Sequence, residues 1–187
     1  MINHLLTATA LAAAISTPLY AAQYTLDPTH SFVTFKIQHL GTSWMHGGFN
    51  TISGSMEYDA DDVGTAAINV DIDAASIDTN HAERDKHLRG SDFLEVESHP
   101  TATFNSTSFA VSDNGGTLTG DLTIKGMTNS VSFDVTKVGE GADPWGGYRV
   151  GFTGTLELTR ADYGIDYNLG PASASMELTL SVEGIRK

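Results

Sequence analysis

Residues Ser76–Pro100 read SIDTNHAERDKHLRGSDFLEVESHP, and they break a pattern that governs nearly all the rest of the chain. Elsewhere apolar and polar residues alternate. Here they do not, and Arg84, Lys86 and Arg89 supply three of only ten basic residues. Asn80 followed by Glu83 has the spacing of a helix N-cap with its reciprocal carboxylate. Leu88, Phe93 and Leu94 can pack one side of a short helix and the turn after it, and Gly90 can stop it. The stretch is therefore read as one helical insertion, about 80–95, in a sheet protein. A lone helix among strands has to cover an edge, an open end or a seam.

Working outward, the flanks read as strands. Val33, Phe35 and Ile37 face one way, with His39 next, against Thr34, Lys36 and Gln38. Gly41–Asn50 (GTSWMHGGFN) reads as a glycine-rich loop. Ile52, Met56 and Tyr58 alternate with Ser53, Ser55 and Glu57, and Ile68, Val70 and Ile72 with Asn69, Asp71 and Asp73. Beyond the insertion, Ala102 and Phe104, Leu118 to Ile124, Val131 to Val135, Tyr148 to Leu158 and Met176 to Val182 repeat the two-residue period. Asp113-Asn114-Gly115-Gly116 is a hairpin turn, and Arg160–Tyr163 reads as one helical turn in an irregular stretch. The count is about eight strands, each with one oily face, in one all-β domain. Such strands stack as a sandwich or close as an antiparallel barrel. Eight closed strands enclose a space that side chains fill or that holds one small ligand. The small inward residues Gly54, Ala66, Ala102, Gly120 and Gly154 favour a cavity.

The 187 residues suffice for one domain with a sizeable core. Leu5–Ile15 is an apolar run of small residues, and Leu19-Tyr20-Ala21 fits a cleavage site, so 1–21 is expected to be a signal peptide and 22–187 the mature domain. The expected location is the periplasm, with secretion as the other outcome. No charged side chain precedes Asp27, so the formal charge of −13 belongs to the mature domain. That charge repels phosphate backbones and excludes nucleic acid as a partner. With no cysteine, a core rather than disulfides holds the domain together.

The order of motifs resembles the YceI-like family of exported, lipocalin-like bacterial proteins. The pieces that carry the resemblance are Asp27-Pro28-Thr29-His30-Ser31, His39-Leu40-Gly41, Gly47-Gly48-Phe49 and Ser53-Gly54. They continue with Ser76-Ile77-Asp78-Thr79, Arg84-Asp85-Lys86-His87-Leu88-Arg89, Asp92-Phe93, Pro100-Thr101-Ala102-Thr103-Phe104, Gly120 to Gly126 and Arg160 to Ile165. The resemblance implies a lipocalin-like barrel with an apolar cavity that binds, carries or stores a long-chain isoprenoid or quinone-type lipid, without a cofactor and without catalysis. A homodimer is compatible with it. Here Gln38, His46 and Gly48 stand where the family pattern commonly has arginines, which counts against a strongly anionic headgroup.

The inward stripe of Val33, Phe35, Ile37, Ile52, Met56, Ile68, Phe104, Leu122, Phe133, Phe152 and Met176 is the candidate cavity lining, although an ordinary packed core produces the same pattern. His30, His39, Arg84, His87 and Arg89 are the candidate polar mouth. Ion pairing of the arginines with Asp85, Asp92 and Glu95, or a solvated helix face, explains the same residues. His81, Asp85, His87, Glu95 and His99 lack the spacing of a metal site, so none is expected. No GxSxG motif or cysteine nucleophile is present. Two other functions fit alternating strands behind a leader. One is an outer-membrane barrel, which needs the oily face outward. The other is a barrel enzyme acting on a small apolar substrate, which needs polar groups inward.

Overall fold

A computed structural model describes residues 21–187, so the leader expected at 1–21 lies almost wholly outside the described residues. Eleven strands and one helix follow in order: β1 Ala22–Leu26, β2 Phe32–His39, β3 Ser43–Phe49, β4 Ile52–Tyr58, β5 Ala67–Asp73, β6 Ile77–Asp78, α1 Ala82–Arg89, β7 Thr101–Ser112, β8 Gly115–Ile124, β9 Met127–Ala142, β10 Tyr148–Thr159 and β11 Ser175–Arg186.

Their register reduces them to eight staves. β1 and β2 both lie antiparallel along β11, Leu26 opposite Gly184 and Phe32 opposite Ser181. They form one stave kinked at Asp27–Ser31. β3 pairs with β2 while β4 pairs with β1, so β3 and β4 make the second stave. β5 and β6 run along it as the third. β7 to β11 then add in sequence, each beside its predecessor, and β11 returns to the first stave. The result is a closed antiparallel eight-stranded barrel with one helix, as the sequence predicts. Closure leaves the main staves without free edges.

The insertion covers one end of this tube. That helix end carries the turn at 40–42, the connection 79–100 with α1, the Lys125-Gly126 turn and the connection 160–174. The hairpin end carries 59–66, 113–114 and 143–147. Apolar faces turn inward: Val33, Ile52, Val70, Phe104, Leu122, Phe133, Leu158 and Leu178 are buried in one cluster. Tyr24, Met56, Tyr58 and Val150 form a second cluster toward the hairpin end. Outward positions such as Thr34, Asp71, Asp121, Asp134 and Glu157 are exposed. This is the inverse of a membrane-spanning barrel, whose oily face meets lipid, so the outer-membrane alternative fails on the orientation of its own strands.

Two local expectations are corrected. Gly41–Asn50 is largely strand β3 rather than loop. Its glycines are there because of a neighbour: a Cβ on Gly47 would lie 2.5 Å from Phe35 Cζ. The N-cap of α1 is His81, whose Nδ1 accepts from the Arg84 N–H at 3.3 Å, and not Asn80, which sits at φ +61°. Eight residues cannot sustain a helix on propensity alone. Side chains pin α1 instead. Buried Asp85 accepts from the Thr79 N–H at 2.9 Å and from Thr79 Oγ1 at 2.5 Å. Arg89 donates through Nε and Nη2 to the carbonyls of Ala75 and Ile77, each at 2.7 Å.

Candidate functional site

Inside the barrel, three spaces succeed one another along the axis, and no residue lines more than one. At the hairpin end a cavity of about 60 Å³ is walled by Met56, Ile68, Phe104, Phe133, Phe152 and Leu180 among others. In the middle lies one of about 80 Å³, bounded by Val33, Leu122 and Met176 together with Ile72, Ala102 and Leu178. Above it, at the helix end, a cleft of about 620 Å³ opens between β2, β3, α1 and the 160–174 connection. A cavity needs roughly 10–15 Å³ on this measure to hold one water. The two inner spaces are therefore narrow, and their walls are almost wholly hydrocarbon. The sequence led to the expectation of one apolar cavity; the structure has three spaces that share no lining residue. Small inward residues do not all leave room, because neighbours lean over them. The ring of Phe104 covers Gly120, and Leu26 covers Gly54.

Nine of the eleven predicted lining residues touch these spaces. Eight belong to the two inner cavities, and Ile37 faces the outer cleft. Phe35 and Ile52 are buried in the same cluster but line none of the three. Phe35 stands between Val33, in the middle cavity, and Ile37, in the cleft.

Of the predicted polar mouth, the structure brings His39, Arg84 and His87 together in the cleft. There His87 meets Phe93 edge-on at 5.0 Å and Tyr167 at 5.2 Å, and its Nε2 lies 2.9 Å from Asp92 Oδ2. Arg84 is held back, with Nε on Thr79 Oγ1 at 2.7 Å and Nη2 on the Thr79 carbonyl at 2.6 Å. Arg89 lies on another face, bound to the carbonyls that pin α1. Nearby cations follow the same rule. Lys125 Nζ donates to the carbonyls of Ser91 at 3.0 Å and Gly164 at 3.2 Å. Arg160 donates to those of Ser173, Ile165 and Tyr167. Fixed positive charge at this end holds backbone together. Tyr167 and Leu169 also line the cleft, and the sequence reading missed them because they lie in an aperiodic stretch.

His30 stands apart, on the outer kink of the first stave. Its Nδ1 lies 2.8 Å from Asp27 Oδ2, which also takes Arg149 Nη1 at 2.7 Å. Arg149 further binds Asp143 at 2.9 Å and Glu183. Asp27, His30 and Glu183 are close enough to hold a cation, but the Arg149 guanidinium already binds both carboxylates. The hydroxyl of Thr29, then His30 and Arg149, hold the Asp27 carboxyl far below the usual carboxylate range. Arg149 and the Gly147 N–H likewise lower Asp143. This network sews β10, β11 and the β1–β2 kink to the loop 143–147.

The YceI-like domain pattern matches residues 24–184. A UPF0312 protein of Pseudomonas aeruginosa (strain LESB58) is 47% identical over 191 residues and matches 100% of both chains. Among solved structures, BcnA of Burkholderia cenocepacia superposes with a TM-score of 0.75 at 23% identity, over 84% of this chain and 98% of that one. A polyisoprenoid binding domain from Saccharophagus degradans superposes with a TM-score of 0.67 at 17% identity, over 89% and 99%. At those identities the two structures speak to the fold.

Proposed function

The chain belongs to the YceI-like family, and from that premise we propose that it binds and carries or stores a long-chain isoprenoid-type lipid, polyprenyl or quinone-like, in the periplasm. The observation that carries the reading is the alignment of two hydrocarbon-walled cavities beneath a wider cleft that has polar groups. The hydrocarbon walls of the first pair suit a tail, and the polar groups of the cleft suit a head. The polyisoprenoid binding named for the Saccharophagus domain, which shares this barrel, supports the same ligand class.

Magnitudes rank the two parts. Burying a tail gains about 0.8 kcal/mol per CH₂, so twenty carbons give on the order of 16 kcal/mol gross, before ordering costs that remove much of it. One charge-assisted hydrogen bond to a head nets about 1.5–3 kcal/mol. The tail therefore dominates affinity. The head meets His39, His87 and Tyr167, while the arginine beside them is committed to Thr79. Together with the net charge of −13, that disfavours a multiply anionic head. Catalysis plays no part in this reading, since the inner walls expose almost only hydrocarbon, even where His99 and Lys125 contribute to them.

The test is direct. The mature chain, purified gently from the periplasmic fraction of its own host, is extracted with organic solvent and both phases are examined by mass spectrometry. The expected result is a protein beginning near Ala22 and a co-purifying isoprenoid lipid. A lipid-free protein that also ignores added prenyl lipids would overturn the proposal.

A further inference from the structure

At two levels of the lumen, a phenylalanine ring packs over a glycine of the neighbouring strand. At the upper level the ring of Phe35 lies across Gly47, where a Cβ would sit 2.5 Å from Cζ and 2.8 Å from Cε1. Phe35 and Gly47 are direct cross-strand partners between β2 and β3. At the lower level the ring of Phe104 lies across Gly120, where a Cβ would sit 2.5 Å from Cζ and 2.7 Å from Cε2. Phe104 pairs with Leu122 and leans toward the hairpin end, meeting Phe133 at 5.7 Å. Each glycine makes room for a ring that reaches over the neighbouring strand. Phe35 falls between cleft and middle cavity, and Phe104 between middle and lower cavity.

We infer that Phe35 and Phe104 are successive gates that set how long a tail the barrel accepts. This rests on the proposal that the barrel binds isoprenoid-type lipids. The middle cavity, at about 80 Å³, is too small for a long tail on its own, and the next apolar space lies beyond Phe104. A tail that reaches the far cavity has to displace that ring from its contact with Phe133. A rigid ring leaves its glycine by a change of rotamer, so each gate is either open or shut. Tail methylenes that find room in a chamber add affinity, roughly two- to fourfold each. Those that press on a closed gate add none. Affinity should therefore rise with tail length in steps, with a plateau at each gate, rather than smoothly.

The experiment is a length series. Prenyl alcohols of increasing length are titrated against the wild type, Phe104→Leu and Phe35→Leu by calorimetry. In parallel, tails carrying a terminal spin label are followed by NMR through the methyl groups of Val70, Leu118 and Val182, which line the far cavity. For the wild type the expected curve has two plateaus, and the methyls broaden only for tails beyond the second, which Phe104 sets. Phe104→Leu is expected to abolish that plateau, improving affinity for long tails about tenfold relative to short ones. Phe35→Leu should act earlier, on shorter tails. Both substitutions keep an apolar side chain of similar size, so folding is retained. A smooth curve identical in all three proteins, or methyl broadening by the shortest tails, would overturn the gates while leaving lipid binding intact. No binding at any length in any of the three would overturn the ligand reading and the gates together.

Discussion

Asp27 is only 6% exposed, yet it carries a charge shared with Arg149 and His30 and capped by Thr29. Its folded carboxyl is held below its unfolded value, chiefly by the Thr29 hydroxyl and then by His30 and Arg149. The sign follows. Its contribution is fully present above the unfolded value of about 4 and is lost as the pH falls below it. Asp27→Asn should therefore lower stability at pH 7 by about 1.5–3 kcal/mol, the usual range for a hydrogen bond to a charged group. The gap to wild type should narrow as the pH drops from about 5 toward 3. Thermal unfolding followed by circular dichroism across that window checks it. A constant gap would mean that the carboxylate charge is not what stabilises the kink. At the same scale, the two rings over glycines show how one small residue can be required by a distant large one.

Among the elements, the helix-end cap is held by polar contacts rather than by packing alone. Lys125, in the turn between β8 and β9, ties Ser91 of one connection to Gly164 of the other. Its backbone sits at φ +49°, beside Gly126 at +73°. Removing the ammonium should loosen both connections and leave the staves alone. Lys125→Met is expected to speed amide hydrogen exchange about five- to tenfold near 91–95 and 161–165, consistent with losing about 1 kcal/mol of local stability. Exchange in β7 to β11 should not change. Equal acceleration throughout the barrel would show that the lysine supports the whole fold and not the cap. The cap also explains why an acidic chain places Arg84 and Arg89 in this insertion. Carbonyls exposed where strands stop need donors, and arginine and lysine supply them over a distance.

At the scale of the whole molecule, oily faces turn inward and the acidic ones turn to water. If the tail dominates binding, ligand affinity should scarcely depend on ionic strength, since apolar burial is not screened. Between low salt and about 0.5 M sodium chloride the dissociation constant should change by less than about twofold. A displacement titration with a fluorescent prenyl probe measures this. A tenfold weakening would place the recognition energy in the head and in the cations of the cleft instead. Self-association into a homodimer remains a proposal that size-exclusion with light scattering would decide.

Alternation by itself determined an all-β chain of about eight strands, most of the residues that face inward, the one break that is the helix and the acidic exterior, because a period of two follows from local backbone geometry and needs no partner. Motif order narrowed these strands to a closed barrel. Three things were beyond it. The glycines of β3 read as loop, because their cause, the ring of Phe35, is on another strand. Arg84 and Arg89 read as one mouth, but only Arg84 reaches the cleft, and the carbonyls that hold both become neighbours only once the chain is folded. Whether an inward phenylalanine lines a space or divides it depends on where its ring tip lands across the barrel, and only tertiary structure brings those positions together.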